Sequence, residues 1–190
     1  MWIILFLIIL VAIPFYFVGL RNNLVRKKNQ IDNAFGSIDA MLKKRYDLIP
    51  NLVSAVKEYM EHERETLDQI TRLRTRAQST GIPDEEKLEI DNQMSRMIGK
   101  LMVAVENYPQ LKANENFLQL QAALNEVEEQ ISAARRFYNA AVTAYNNAIE
   151  VFPSNLVAQR MNYKRKKVFE IEERERQNVD VGGMFDRGKS

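Results

Sequence analysis

The sequence has no cysteine, one histidine (His62), and few helix-breaking residues: seven glycines and five prolines in 190 residues. The absence of cysteine excludes disulfide bonds, thiol catalysis, Cys-based zinc sites and an acylated lipoprotein cysteine. A single histidine leaves no His-rich metal site. The net charge of +2 gives no reason to expect nucleic acid. Alanine, leucine, glutamate, glutamine, lysine and arginine dominate after residue 20, which is a helical composition.

Sequence motifs for catalysis are also missing. The chain has no HExxH, GxSxG, Walker A or GxGxxG motif. The carboxylates Glu126, Glu128 and Glu129 lack the Glu-x-x-His spacing of di-metal sites in helical bundles, and therefore indicate a solvated acidic face. We predict a protein that is not an enzyme, with no cofactor, no metal site, no small-molecule substrate and no nucleic-acid partner.

The first twenty residues, MWIILFLIILVAIPFYFVGL, carry no charged side chain. About 20 apolar residues in a helix span the ~30 Å hydrocarbon core of a bilayer. A cleavable signal peptide is the weaker interpretation, since no basic segment precedes the run and no small-x-small cleavage pattern follows. We predict that residues 1–20 are an uncleaved transmembrane anchor that contacts the lipid bilayer.

Basic residues flank this anchor on one side only: Arg21, Arg26, Lys27 and Lys28. Such residues prefer the cytoplasmic side of a membrane helix. The pattern therefore predicts an outward-facing N-terminus and a cytoplasmic location for most of the chain.

Apolar residues recur at three- and four-residue steps from residue 31 to residue 77, as on one face of a helix. Leu42, Ile49 and Val56 keep a seven-residue spacing across Pro50, so the helical phase survives the proline. A proline inside a helix costs about 3 kcal/mol. We predict either a helix kink at Pro50 or a junction of two nearly collinear helices. Three polar residues interrupt the series: Arg45, Glu63 and Thr66.

The segment Ser79–Pro83 is predicted to be a turn, because Gly81 suits a helix C-terminus and Pro83 a helix start. The next helix is expected to end at Asn107-Tyr108-Pro109. After it comes the clearest pattern in the chain, a heptad series that predicts a core seam of coiled-coil type. Its residues are Phe117, Leu124, Ile131, Tyr138, Tyr145 and Phe152.

Tyr138-Asn139 and Tyr145-Asn146 repeat at seven residues within this seam. A polar recognition ladder is one interpretation. We prefer a second, in which both rings are buried and their hydroxyl groups bond near the edge of the core.

A last helix is predicted over residues 156–177. It contains a basic run, Lys164, Arg165, Lys166 and Lys167, which is either a solvated face or a contact with a partner or with lipid headgroups.

Three blocks resemble one known family: RYDLIPNLV (45–53), YPQLKANENFLQLQ (108–121) and ARRFYNAAVTAYNNAIEVFPSNLVA (134–158). With the N-terminal anchor, they resemble the LemA family of bacterial membrane proteins. The resemblance implies a single-pass bacterial protein with an antiparallel helical bundle, in the cell (inner) membrane. It supplies no activity and no catalytic residues.

The sequence thus predicts an all-α fold: an anchor at 1–20, an elongated antiparallel bundle of three or four long helices at 21–178, and an extended or disordered tail at 179–190. The leading functional hypothesis is a membrane-anchored scaffold or adaptor acting through protein–protein contacts. Its expected partners are a second copy of the chain and an unidentified membrane or envelope protein. The alternative is a module that binds or shapes the lipid surface through basic clusters at 26–28 and 164–167.

Overall fold

A computed structural model describes residues 2–169 of the chain. Within that range the protein is all helix and turn without a strand, which confirms the predicted all-α fold. The predicted tail at 179–190 lies outside the described residues. The helices are α1 (Trp2–Lys57), α2 (Arg64–Ala77), α3 (Asp84–Val105), α4 (Pro109–Lys112), α5 (Glu115–Glu150) and α6 (Ser154–Arg160), with one 3-10 turn at Glu61–Glu63.

Helix α1 runs through Pro50 without a break. Leu42, Ile49 and Val56 are all buried while Pro50 is exposed, so the apolar face keeps its phase as predicted. The junction of two helices at Pro50 is therefore wrong, and a kink at this residue stays a prediction.

Because Pro50 has no N–H, one main-chain carbonyl of α1 lacks its usual donor within the helix. In an α-helix that N–H would bond the carbonyl four residues earlier, which belongs to Tyr46. The Nε of Arg74, on α2, donates to this carbonyl oxygen at 2.8 Å. The proline thus leaves the carbonyl of Tyr46 available to Arg74, and this hydrogen bond links α2 to α1.

The chain leaves α1 after Lys57, seven residues beyond the proline. The N–H groups of Tyr59 and Met60 both donate to the carbonyl of Val56 at 3.0 Å, and the 3-10 turn follows. The apolar series over residues 31–77 is therefore divided between two helices, α1 and the separate helix α2. The buried side chain of Met60 closes the turn against the core, although no glycine or proline marks it in the sequence.

The next turns agree with the sequence patterns. Helix α2 ends at Ala77, Gly81 has a positive φ of 83°, and Pro83 directly precedes α3. Helix α3 ends at Val105, and Pro109 begins the short helix α4.

The described chain forms two compact units. The terminal unit consists of residues 2–31 together with 138–169, and the central unit is Asp32–Phe137. In the central unit α1 and α5 run antiparallel. Lys44 donates to Gln130 at 3.4 Å, while Asn114, next to the start of α5, donates to Tyr59, just after the end of α1, at 3.4 Å.

The core of the central unit encloses an ion network that explains the polar gap at Arg45. This side chain is fully buried and forms an ion pair with the buried carboxylate of Asp91. It also donates to Ser95 Oγ at 2.8 Å and to Glu128 Oε2 at 3.0 Å, and Arg135 binds the same Asp91 carboxylate. Burial lowers the pKa of Arg45, and the neighbouring Glu128 opposes that shift.

The network joins α1, α3 and α5 through charges rather than apolar contacts. Removing one member of a buried pair typically costs 3–5 kcal/mol, because the other charge stays buried without its partner. Glu128, expected on a solvated acidic face, has a side chain that is 48% exposed and still reaches Arg45.

We expect Arg74→Met to lower the free energy of unfolding by about 1–3 kcal/mol, since the carbonyl of Tyr46 loses its charged donor. In a Pro50→Ala background the helix supplies an N–H to this carbonyl, and the same substitution should cost about 1 kcal/mol less. Chemical denaturation of the four proteins measures this coupling. Equal costs in both backgrounds would contradict the assigned role of Pro50.

Candidate functional site

The terminal unit contains the most unusual feature of the chain, a C-terminal segment without regular secondary structure that lies on α5. Helix α6 ends at Arg160, and Asn162 takes a left-handed conformation with φ 52°. Residues 163–169 then continue without helix. The predicted helix over 156–177 is therefore wrong for residues 161–169, and residues 170–177 lie outside the described range.

Two asparagines of α5 supply the hydrogen bonds that a helix would have made internally. Asn146 Nδ2 donates to the carbonyl of Lys166 at 2.8 Å, and the Lys166 N–H donates to Asn146 Oδ1 at 2.9 Å. Asn139 makes the same pair with Phe169, at 3.1 Å for the carbonyl and 2.7 Å for the N–H. We call Asn139 and Asn146 the asparagine ladder.

The spacing of this ladder selects an extended chain. Its two rungs are seven residues apart on a helix, a rise of about 10.5 Å. The main-chain groups that they bind are three residues apart, and three residues reach at most about 10–11 Å when fully extended. A helix over the same three residues would rise only about 4.5 Å. The ladder therefore fits an extended segment and rejects a helical one.

The two tyrosines beside the ladder contact the same segment. Tyr145 is buried, its hydroxyl group donates to the carbonyl of Lys164 at 3.3 Å, and its ring lies 5.9 Å from that of Tyr163. Tyr138 is half-buried, with its ring 4.8 Å from Phe169 in an edge-to-face arrangement. Sequence reasoning singled out the tyrosines, whereas the specific main-chain recognition comes from the asparagines that follow them.

The six residues of the heptad seam divide by position. Phe117, Leu124, Ile131 and Tyr145 are buried, and Tyr138 is half-buried. Phe152 is 74% exposed, so its assignment to the seam is wrong. The physical reason is that α5 ends at Glu150, and the helical phase that aligned the other five no longer applies.

Both groups of basic residues predicted from the sequence belong to the terminal unit. Arg21, Arg26 and Lys28 are exposed and Lys27 is half-buried; Lys164, Arg165 and Lys167 are exposed and Lys166 is half-buried. The Nζ of Lys28 lies 5.6 Å from the ring centre of Tyr163, which precedes the second cluster directly. Arg165 is paired with Glu150 at 2.8 Å.

Charge is divided unevenly between the units. Residues 1–31 and 138–190 contain 13 lysines and arginines and seven acidic residues. The central unit contains 14 basic and 18 acidic residues. Positive charge is therefore concentrated in the unit that contains the apolar run.

Catalytic chemistry finds little support in the described residues. They contain no group of three or more His, Asp or Glu side chains that could hold a metal ion. An open cleft of about 270 Å³ between α2 and α3 offers amide, guanidinium and apolar groups and no nucleophile paired with a base. Its lining residues are Gln69, Arg72, Leu73, Gln93, Arg96 and Met97.

Comparison with known proteins decides the family. The LemA family model matches residues 34–182. The chain belongs to the LemA family. Protein LemA of Metamycoplasma hominis is 34% identical over 183 residues, which cover 95% of this chain and 83% of that protein.

Two further relatives match a shorter part of this LemA-family chain. Magnetosome protein MamQ 2 of Paramagnetospirillum magneticum is 32% identical over 83 residues, 44% of this chain and 30% of the relative. Magnetosome protein MamQ of Magnetospirillum gryphiswaldense is 29% identical over 82 residues, 43% of this chain and 30% of the relative. With the apolar helix of residues 2–20, these findings identify a membrane-associated protein, and none indicates a catalytic family.

We call residues 163–169 the docked segment. It contains four trypsin sites, Lys164 to Lys167. We expect Asn139→Asp combined with Asn146→Asp to speed cleavage there about tenfold or more. Each change removes an amide donor, worth ~1 kcal/mol, and sets a negative charge against a main-chain oxygen. Asn147→Asp, at an exposed neighbouring position of α5, is the matched control. Equal cleavage rates in the two variants would show that the ladder does not hold the segment.

Proposed function

We propose that this protein is a membrane-anchored scaffold of the bacterial cell envelope that acts through protein–protein contacts. The asparagine ladder is the observation that carries this proposal. Four hydrogen bonds join two amide side chains to main-chain atoms, two donated by the amides and two by main-chain N–H groups, so recognition depends on an extended backbone more than on particular side chains. Such a surface is suited to holding a polypeptide and has no feature of a catalytic site.

The proposed occupant in the assembled state is residues 163–169 of a second copy. Those residues have the same spacing of main-chain groups, and they also bring Tyr163 and Phe169 to the rings of Tyr145 and Tyr138. Exchange of an identical segment between copies creates an oligomer without any new contact surface. The turn at residues 161–162 is the natural hinge, because it separates α6 from the segment.

Membrane anchoring favours this exchange. Residues 1–20 confine the protein to a plane, which raises the effective concentration of neighbouring copies. The basic residues after the anchor support an N-terminus outside the cell membrane and a cytoplasmic scaffold, by the preference of such residues for that side. In this arrangement the ladder would face cytoplasmic copies or partners.

The test uses two full-length copies with different tags, reconstituted together and then solubilised in mild detergent. We expect capture of one tag to retrieve the other. Asn139→Asp with Asn146→Asp in both copies should make this yield decay about tenfold faster after solubilisation, since release of an exchanged segment then breaks two fewer donor bonds of ~1 kcal/mol each. Asn147→Asp should leave it unchanged. A yield that does not respond to the ladder, or no retrieval with the wild-type pair, would refute exchange of the segment.

A second candidate function rests on the uneven charge. The terminal unit, taken to the end of the chain, has 13 basic residues and seven acidic ones, whereas the central unit has 14 and 18, and this difference supports binding of its basic clusters to anionic headgroups. This would make the protein a module that binds or shapes the lipid surface.

Sedimentation of residues 21–190 with vesicles tests the lipid candidate. Binding should require anionic lipid, and it should weaken as salt screens the charges. Neutralising Lys164 and Lys167 to glutamine should weaken binding about tenfold, at ~1 kcal/mol per residue. The same change at Lys43 and Lys100, exposed residues of the central unit, is the control. Binding that ignores both salt and lipid charge would argue against this candidate.

A further inference from the structure

Three large apolar side chains are exposed to solvent where α5 ends and α6 begins. Val151 is 60% exposed, Phe152 74% and Leu156 46%. We call these three residues the apolar tip. Burying a side chain of this size is worth about 1.5–3 kcal/mol, so their grouped exposure requires an explanation.

The height of the apolar tip along α1 follows from contacts within the terminal unit. Lys28 of α1 lies over the ring of Tyr163, which in turn contacts Tyr145 of α5. Tyr145 is therefore close to the level of Lys28. From Lys28 back to Leu20, the last residue of the uncharged run, the helix rises about 12 Å.

Helix α5 extends nearly the same distance beyond Tyr145. Leu24 and Leu20, on the anchor side of Lys28, are fully buried and half-buried, so part of residues 138–169 extends along α1 toward the anchor. From Tyr145 to the apolar tip at Phe152, seven residues, the rise of a helix is about 10 Å. These contacts and rises place the tip near the end of the apolar run.

Burial on α1 agrees with this position. Leu24 is fully buried and Leu20 is half-buried, although the residues from Trp2 to Gly19 whose side chains are described are exposed. Within the terminal unit the described residues outside α1 are 138–169. These residues therefore cover α1 up to the point where the uncharged run ends.

Charge around the apolar tip suits a lipid interface. Residues 150–169 contain five basic side chains and one acidic side chain, Glu150, which pairs with Arg165. The basic residues are Arg160, Lys164, Arg165, Lys166 and Lys167. An aromatic and aliphatic surface bordered by lysine and arginine is the pattern of segments that lie in the boundary between headgroups and acyl chains.

We propose that the apolar tip inserts into the interface of the same bilayer that holds the anchor, as a second membrane contact of the protein. A second protein copy is a poorer occupant. Three side chains form a small patch, whereas a stable protein interface buries roughly 1,200 Å² or more. The proposal is independent of segment exchange, and it requires no anionic lipid because apolar burial drives it.

The absence of cysteine makes a direct test simple. A single cysteine replaces Leu156 in the full-length protein and carries an environment-sensitive NBD fluorophore, so that Phe152 is retained. The protein is placed in nanodiscs of neutral phosphatidylcholine with and without spin-labelled lipid, in high salt. Val103→Cys, at a residue of α3 that is 73% exposed, is the matched control.

Spin-labelled lipid should quench the label at 156 about twofold or more beyond the label at 103, as expected for a group at the boundary of the acyl chains. Phe152→Asp should return the quenching at 156 to the control level, while capture of tagged copies through the ladder stays unchanged. Equal quenching at both positions would overturn the proposal. So would a blue-shifted label at 156 that lipid does not quench, because a protein surface would then cover the tip. Quenching that persists in Phe152→Asp would also overturn it.

Discussion

The need of every buried main-chain group for a hydrogen-bond partner shapes this protein at two separate places. Pro50 cannot donate to the carbonyl of Tyr46, and Arg74 of α2 takes that acceptor. Residues 163–169 form no helix, and Asn139 and Asn146 bind the N–H and C=O groups of two of them. In both cases a side chain replaces a bond internal to a helix, and the replacement links two parts of the chain that are distant in sequence.

The choice of asparagine follows from the same need. One amide presents a donor and an acceptor side by side, so it pairs with both main-chain groups of a single residue. Aspartate lacks the donor, and a longer glutamine side chain would lose more conformational freedom on binding. Because the rungs are separated by two helical turns, the ladder measures chain extension as well as polarity. The asparagine ladder therefore selects the conformation of the bound chain and tolerates different side chains in it.

The parts of the fold that could be predicted depend on local patterns. Gly81 and Pro83 mark a turn by their own backbone preferences, and the heptad series finds α5 to within a few residues at each end. The reversal after Lys57 has no such mark, because it is set by tertiary burial of Met60. The prediction of a helix over the docked segment is wrong for a related reason. Lys164 to Lys167 are good helix formers, and four distant hydrogen bonds from α5 outweigh that weak preference.

Part of the site was within reach of the sequence. The Tyr-Asn repeat at seven residues is present in the sequence, and a polar ladder is one interpretation of it. Nothing local identifies the residue that Asn139 binds, which lies thirty residues further along the chain. Arg45 was visible as a polar gap in an apolar face. Its partners Asp91 and Glu128 come from two other helices, and only the packing of those helices brings them together.

The energies of the membrane contacts indicate their role. A spanning helix of twenty apolar residues, as proposed for residues 1–20, is enough to hold a protein in a bilayer essentially permanently. Basic residues at ~1 kcal/mol each and an apolar tip worth a few kcal/mol therefore add nothing useful to membrane affinity. They can, however, decide between orientations of the attached domain, because 1.4 kcal/mol changes such a population about tenfold. If the proposed lipid contacts form, they fix the height and tilt of the asparagine ladder relative to the membrane, and two copies that exchange a seven-residue segment need matching heights to meet.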